Sequence, residues 1–233
     1  MGCFAASAAV PSAEKIANAV ALTNRHSGRA SPVLLEIKLR IGQGEPTATG
    51  VLASHPTGLA RLELRGRGGS VERHLLQGNA YTASRDGQLL PSPHPFLPPL
   101  FFLQATSGAA LRAALASYGV ASGPVVLGRV GERDCYVFGG RLARMADDSG
   151  EVRTLPSLWV DMETYEVIQI DRPDGVRFRF GPFTPFEGIQ APSWIEVLAP
   201  NQPPARLEVI RVAPANAPAA AFGSHWLSAP LSP

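Results

Sequence analysis

The chain is short of lysine, of cysteine and of long apolar runs, and each shortage removes a class of function. Of its 21 basic residues only Lys15 and Lys38 are lysines, and the formal net charge is +2. The arginines are spread along the chain with acidic residues nearby, the pattern of solvated sheet faces. Such a balance gives no electrostatic footprint for nucleic acid. No apolar stretch approaches the ~20 residues that a helical membrane span needs. The two cysteines, Cys3 and Cys135, are too few for a disulfide framework. A pair between them in an oxidising compartment is compatible with the sequence but not demanded by it.

Catalytic and cofactor signatures are also missing. The sequence holds no His-Glu-x-x-His, no Gly-x-Ser-x-Gly and no phosphate-binding Gly-x-x-x-x-Gly-Lys followed by Ser or Thr. The histidines, His26, His55, His74, His94 and His225, are dispersed, and none has a second His or a Cys at ligand spacing. No metal and no cofactor is therefore expected. Gly66-Arg67-Gly68-Gly69 reads as a loop between strands. Asp161, Glu163 and Glu166 read as a solvated cluster at a turn, not as an acid/base pair.

What the chain does have is a recurring period of two. Leu35, Ile37, Leu39 and Ile41 alternate with Glu36, Lys38 and Arg40, and Leu62 and Leu64 with Arg61, Glu63 and Arg65. Val176, Phe178 and Phe180 alternate with Arg177 and Arg179. This spacing puts successive side chains on opposite faces of a sheet, one buried and one wet. With 22 prolines and 23 glycines the turns are well punctuated. Strands are expected at 33–41, 47–54, 59–65, 71–77, 80–85, 88–90, 125–130, 134–138, 154–161, 165–171, 176–180, 193–198 and 206–212. Two helices interrupt them, Ser12 to His26 and Ser107 to Tyr118, with Ser12 as an N-cap and Gly28 and Gly119 as stops.

The fold class expected is α+β, mainly antiparallel β: a strongly curved half-barrel sheet with helices on its concave side. Residues 1–11 are expected to form a flexible tether, 12–212 a single domain, and 213–233 an Ala/Pro-rich tail running irregularly over the surface. Between the strand groups, five prolines in Pro91 to Pro99 precede Leu100-Phe101-Phe102-Leu103. Six large apolar groups fall in the eight positions from Phe96 to Leu103. Such a segment must be buried, face a ligand, or touch a partner or a membrane.

Three passages resemble one family. They are Ala48-Thr49-Gly50-Val51-Leu52 through Gly58–Leu64 to Gln77–Ala83; Leu158-Trp159-Val160-Asp161-Met162-Glu163-Thr164-Tyr165-Glu166-Val167-Ile168; and Pro192–Val197 with Arg206–Ile210. With a helix first and an apolar helical insertion between two meanders, they are similar to the LolA/LolB superfamily, the periplasmic lipoprotein carrier and its outer-membrane acceptor. The likeness covers roughly residues 12–212 and is one of pattern, so the carrier's lid-gating arginine is not transferred to any residue. It implies a half-open barrel whose concave face takes acyl chains of lipoproteins or another lipid, and an envelope transport protein as partner. It also implies the periplasm, or the periplasmic face of the outer membrane, of a Gram-negative bacterium.

The residue chemistry is compatible with that cargo, because an acyl chain needs an apolar trough and few polar contacts. The candidate lining is Leu35, Ile37, Leu39, Leu62, Leu64, Phe178, Phe180 and Trp194, with Phe96, Phe101 and Phe102 from the insertion. The competing reading is that these residues pack against the two helices as ordinary core. Gly2-Cys3 matches the end of a bacterial lipobox, with Cys3 as the lipid anchor and outer-membrane attachment as the consequence; a chance Gly-Cys stands equal to it. The other functional class is an enzyme or accessory subunit whose site is built from scattered residues.

Overall fold

The computed structural model describes residues 10–23, 31–140 and 155–229. Cys3 and most of the expected tether lie outside them. The first helix, α1 (Ala13–Thr23), starts where Ser12 Oγ accepts a hydrogen bond from the Lys15 N–H at 3.2 Å. It buries Ile16, Ala17, Val20 and Ala21. Strands β1 (Val33–Ile41), β2 (Ala48–His55), β3 (Leu59–Gly66), β4 (Val71–Gln77), β5 (Ala80–Arg85) and β6 (Gln88–Leu89) follow as a meander. A 3-10 turn (Leu100–Gln104) and helix α2 (Gly108–Ser117) interrupt it, and Ser107 Oγ caps α2 by accepting from the Ala110 N–H. A second run comprises β7 (Val126–Val130), β8 (Arg133–Phe138), β9 (Ser157–Asp161), β10 (Val167–Asp171) and β11 (Arg177–Phe180). It continues through β12 (Phe183–Phe186), β13 (Ile189–Pro192), β14 (Trp194–Leu198) and β15 (Ala205–Pro214).

Thirteen strands form one sheet in the order β6-β5-β4-β3-β2-β1-β15-β14-β11-β10-β9-β8-β7, while β12 and β13 pair as a separate hairpin. Neighbours run antiparallel. The chain thus walks from the middle of the sheet to one edge, crosses, and walks back from the other edge until β15 meets β1. The sheet is strongly curved, not closed into a barrel, and carries both helices on its concave side. Two local devices help it curl. The pairing of β1 with β15 slips between Glu36 and Ile37, extruding Ile210, and such a bulge raises the local twist. At Gly50 in β2 a Cβ would stand 2.4 Å from the Glu63 carbonyl oxygen and 2.8 Å from Leu64 Cδ2, so only glycine lets these strands approach.

The two faces differ as the alternation requires. Leu35, Ile37, Leu39, Leu52, Leu62, Leu64, Phe178, Phe180, Ile195 and Leu207 belong to one buried cluster with α1, α2 and the 96–103 segment. The helices are tied together where the Gly108 N–H donates to Asn18 Oδ1 at 3.1 Å. The outer face carries charged rows, among them the Arg40–Glu208 pair at 2.9 Å.

The tail departs from expectation. Instead of an irregular course it makes two 3-10 turns, Ala219–Phe222 and Ser224–Ser228, which dock on the outer face. Phe222 and Leu227 are buried there with Ala53 and Leu75. Arg61 Nη1 donates to the Ala221 carbonyl at 2.7 Å, and Ser84 Oγ to that of Leu227 at 2.7 Å. The apolar side chains of the tail cover a patch that would otherwise face water. The β12–β13 hairpin was not expected either; Pro185 and Pro192 inside it broke the strand pattern.

Candidate functional site

The concave face is built from the inward residues of β1 to β4, of β8 to β11 and of β14 and β15, and the segment from Pro91 to Gln104 lies across it. Of the expected lining, Leu35, Ile37, Leu39, Leu62, Leu64, Phe178 and Phe180 all point into it, together with Phe96, Phe101 and Phe102. Trp194 does not. It shares parity with Glu196 on the outer face, where the Arg206 guanidinium sits 4.3 Å from its ring centre. The inward residues of β14 are Ile195 and Val197.

The crossing segment is a plug. Phe96, Leu97, Leu100, Phe102 and Leu103 are each no more than 2% exposed, and Phe101 is 7% exposed. Phe101 and Phe102 lie 4.4 Å apart between ring centres, and Tyr118 at the end of α2 stands edge-on to Phe102 at 5.3 Å. Burial pushes the Tyr118 phenol up to about 12. The surface depressions found, of about 340 to 450 Å3, lie on the outer face or its rim, such as that between Glu36, Lys38, Val51, Arg65 and Ile210. None of these opens on the concave side, where described side chains such as Leu62, Phe102 and Phe178 are buried against one another.

Polar groups pin the plug at both ends. At the C-terminal end Gln104 Oε1 accepts from Ser54 Oγ at 2.8 Å, and its amide donates to the Ser31 and Ser54 carbonyls. At the N-terminal end the Tyr81 hydroxyl accepts from the Phe96 N–H at 3.0 Å and donates to the His94 carbonyl. Tyr81 also lies 2.6 Å from Nδ1 of the fully buried His74, whose Nε2 is 2.9 Å from Glu72 Oε1. Burial lowers the His74 pKa against the pull of Glu72. Burial raises that of Glu72, but hydrogen bonding and charge from His74, then Arg85, outweigh it and hold the carboxyl at about 2.

None of Tyr81, His74, Glu72 and Gln104 stood out in the sequence. A signal existed for three of them. Register pairs Leu62 with His74 and Leu76 with Tyr81, so the β4 residues of His74 parity had to share the concave face. Among the described residues no three His, Cys, Asp or Glu side chains converge as a metal ion would require. No helix among them is long and apolar enough to cross a membrane.

The fold has counterparts among solved structures. A LolA superfamily protein from Nitrosomonas europaea superposes with a TM-score of 0.52 at 12% identity, over 94% of this chain and 100% of that one. A DUF1329 family protein from Desulfovibrio piger gives 0.51 at 12% identity, over 93% of this chain and 100% of that one. A putative outer membrane lipoprotein-sorting protein domain from Vibrio parahaemolyticus gives 0.51 at 9% identity, over 93% of this chain and 100% of that one. The chain therefore has a LolA/LolB-like fold. No protein-family model matches it, and no curated protein matches it by sequence.

Proposed function

We propose that the protein binds acyl chains of lipids or lipoproteins on its concave face, as a carrier or acceptor in the envelope of a Gram-negative bacterium. The observation that carries this is the plug. Six large apolar side chains, from Phe96 to Leu103, lie on the concave face held by polar groups at the segment's ends, in the place an acyl chain would take. Swinging the segment out would leave a trough lined by Leu35, Ile37, Leu39, Leu62, Leu64, Phe178 and Phe180. Such an apolar surface needs an apolar occupant. The structural counterparts named for lipoprotein sorting support the reading. Native mass spectrometry of protein purified from cells, with and without added acylated peptide, tests it. A retained lipid mass, or a stoichiometric acyl adduct, is the expected result. Protein that stays lipid-free and leaves a fluorescent apolar probe unbound would refute it.

Attachment through Cys3 belongs to the same proposal. Gly2-Cys3 has the chemistry for diacylation of the thiol, and two chains anchor a protein where one holds it only marginally. Cys3→Ser in the gene with its native leader should move the protein from the membrane to the soluble periplasmic fraction. Unaltered protein found soluble and unmodified would exclude the acceptor and leave the soluble carrier, which would draw its cargo from an envelope transport protein.

A further inference from the structure

Arg172 follows β10 with the parity of Ile170, so its side chain starts toward the concave side, where it is buried. Asp174 holds its guanidinium side-on: Nε donates to Oδ1 at 3.2 Å, and Nη2 lies 3.0 Å from Oδ2. The turn beneath is fixed as well. The Arg172 N–H donates to the Val176 carbonyl at 2.8 Å, and the Val176 N–H to Asp174 Oδ1 at 3.2 Å. This clamp uses one edge of the guanidinium and leaves Nη1 on the other. Nη1 is buried and has no hydrogen-bond partner among the described residues. The same holds for the hydroxyl of Tyr118, a residue only 3% exposed. Burial raises the Tyr118 pKa and the Arg172 charge opposes it, so the two groups are neighbours, yet they lack the geometry of a hydrogen bond. Buried donors are nearly always paired, and two unpaired ones side by side mark a place for an acceptor.

We propose that Arg172 Nη1 and the Tyr118 hydroxyl take the carboxylate of a fatty acid whose chain lies in the concave trough. This rests on the lipid-binding reading and names the head of the lipid. The place suits an amphiphile. On one side Asp174 is half-exposed, so the turn meets water and its charge is screened. On the other side Tyr118 stands edge-on to Phe101 at 5.9 Å and to Phe102 at 5.3 Å, so its hydroxyl adjoins the plug. Lifting the plug would uncover the two donors and the trough together. A carboxylate brings the acceptors that the pair lacks, and its bond to a guanidinium is charge-assisted. A phosphate fits less well, because the site offers two donors and a cation that already shares its charge with Asp174. An alcohol head would accept the same bonds without the charge.

Displacement of a fluorescent apolar probe from the full chain tests this. The competitors are a fatty acid and the alcohol and alkyl phosphate of the same chain length, at a pH where the acid is ionised. The acid should bind about tenfold or more tightly than the alcohol. The readout is this ratio, which a loss of packing leaves unchanged because both ligands feel it. Arg172→Met should abolish the preference for the acid, and Tyr118→Phe should lower it several-fold. Tyr118→Phe keeps the ring and removes a hydroxyl that bonds to none of the described residues, so it decides the matter even if Arg172→Met fails to fold. A preference that either folded variant leaves intact, or an alkyl phosphate that binds more tightly than the acid, would overturn the proposal. Acid and alcohol binding alike to the wild type would strike the carboxylate site and leave the lipid-binding reading standing. Failure of the probe and of every competitor to bind would strike both.

Discussion

Phe102→Ala separates a displaceable plug from ordinary core. Phe102 is 1% exposed, packed between Phe101 and Tyr118. Truncating a buried Phe costs about 3–5 kcal/mol when the surroundings stay in place. At about 2–4 °C per kcal/mol for a chain of this length, that is a fall in Tm of about 6–20 °C if the segment melts with the sheet. If the plug lifts before the sheet melts, the folded species present near Tm no longer contains the contact. Tm then moves little, while the cost of exposing the trough drops by the same few kcal/mol. Apparent affinity for an acyl-chain probe is set by the fraction of open molecules, so it should rise by about a hundredfold to a few thousandfold, up to the limit where most molecules are open. The assay pairs a thermal melt with titration of a fluorescent fatty-acid analogue. Phe178→Ala, on the sheet beneath, is the control and should lose Tm without gaining affinity. A full fall in Tm with unchanged probe binding for Phe102→Ala would refute the plug and make the segment core.

Gly50→Ala should destabilise by about 1–3 kcal/mol, because the new methyl meets the Glu63 carbonyl, which is backbone and cannot rotate away; urea melts check it. Phe222→Ala should cost about 3–5 kcal/mol of tail docking and open the chain after Pro214 to limited proteolysis, with the 13-stranded sheet intact by circular dichroism. Glu72 has a depressed pKa in the folded state, about 2 against an ordinary 4.5, so its stabilisation is complete above pH 4.5 and is lost as the pH falls toward 2. Glu72→Gln should flatten that acid limb in denaturant melts taken across this range.

Much of the sheet could be read in the sequence because one physical rule, alternation over a single apolar core, fixes both strand and face. β1, β4 and β5 begin and end where the pattern says. The rule weakened where both faces are buried. In β4, Val71, Arg73 and Leu75 share one face and Glu72, His74 and Leu76 the other, and each set mixes polar with apolar residues. Only the docked tail, which covers Leu75, explains why. Composition hid that tail: its Ala and Pro residues read as a spacer, yet Phe222, Trp226 and Leu227 pack as a short core element. Trp194, expected in the lining, lies on the outer face, because strand alternation gives it the parity of Glu196.

The plug follows from topology as much as from composition. The chain leaves β6 at one edge of the sheet and must start β7 at the other, so the connection has to cross the sheet, and its apolar run takes the concave face. Five prolines between Pro91 and Pro99 have no N–H to offer a ladder. Among the described residues the backbone–backbone hydrogen bonds of 91–106 stay within the segment, as at Phe96 to His94, Leu100 to Pro98 and Phe102 to Pro99, and none reaches the backbone of a strand. Its attachment is apolar contact plus the polar ties at Tyr81 and Gln104. Lifting it would expose apolar surface and break a few side-chain hydrogen bonds, but would cut no rung of the sheet. Opening a unit of this kind costs less than global unfolding. The same chain path therefore supplies a sheet whose rungs are complete without the segment that crosses it.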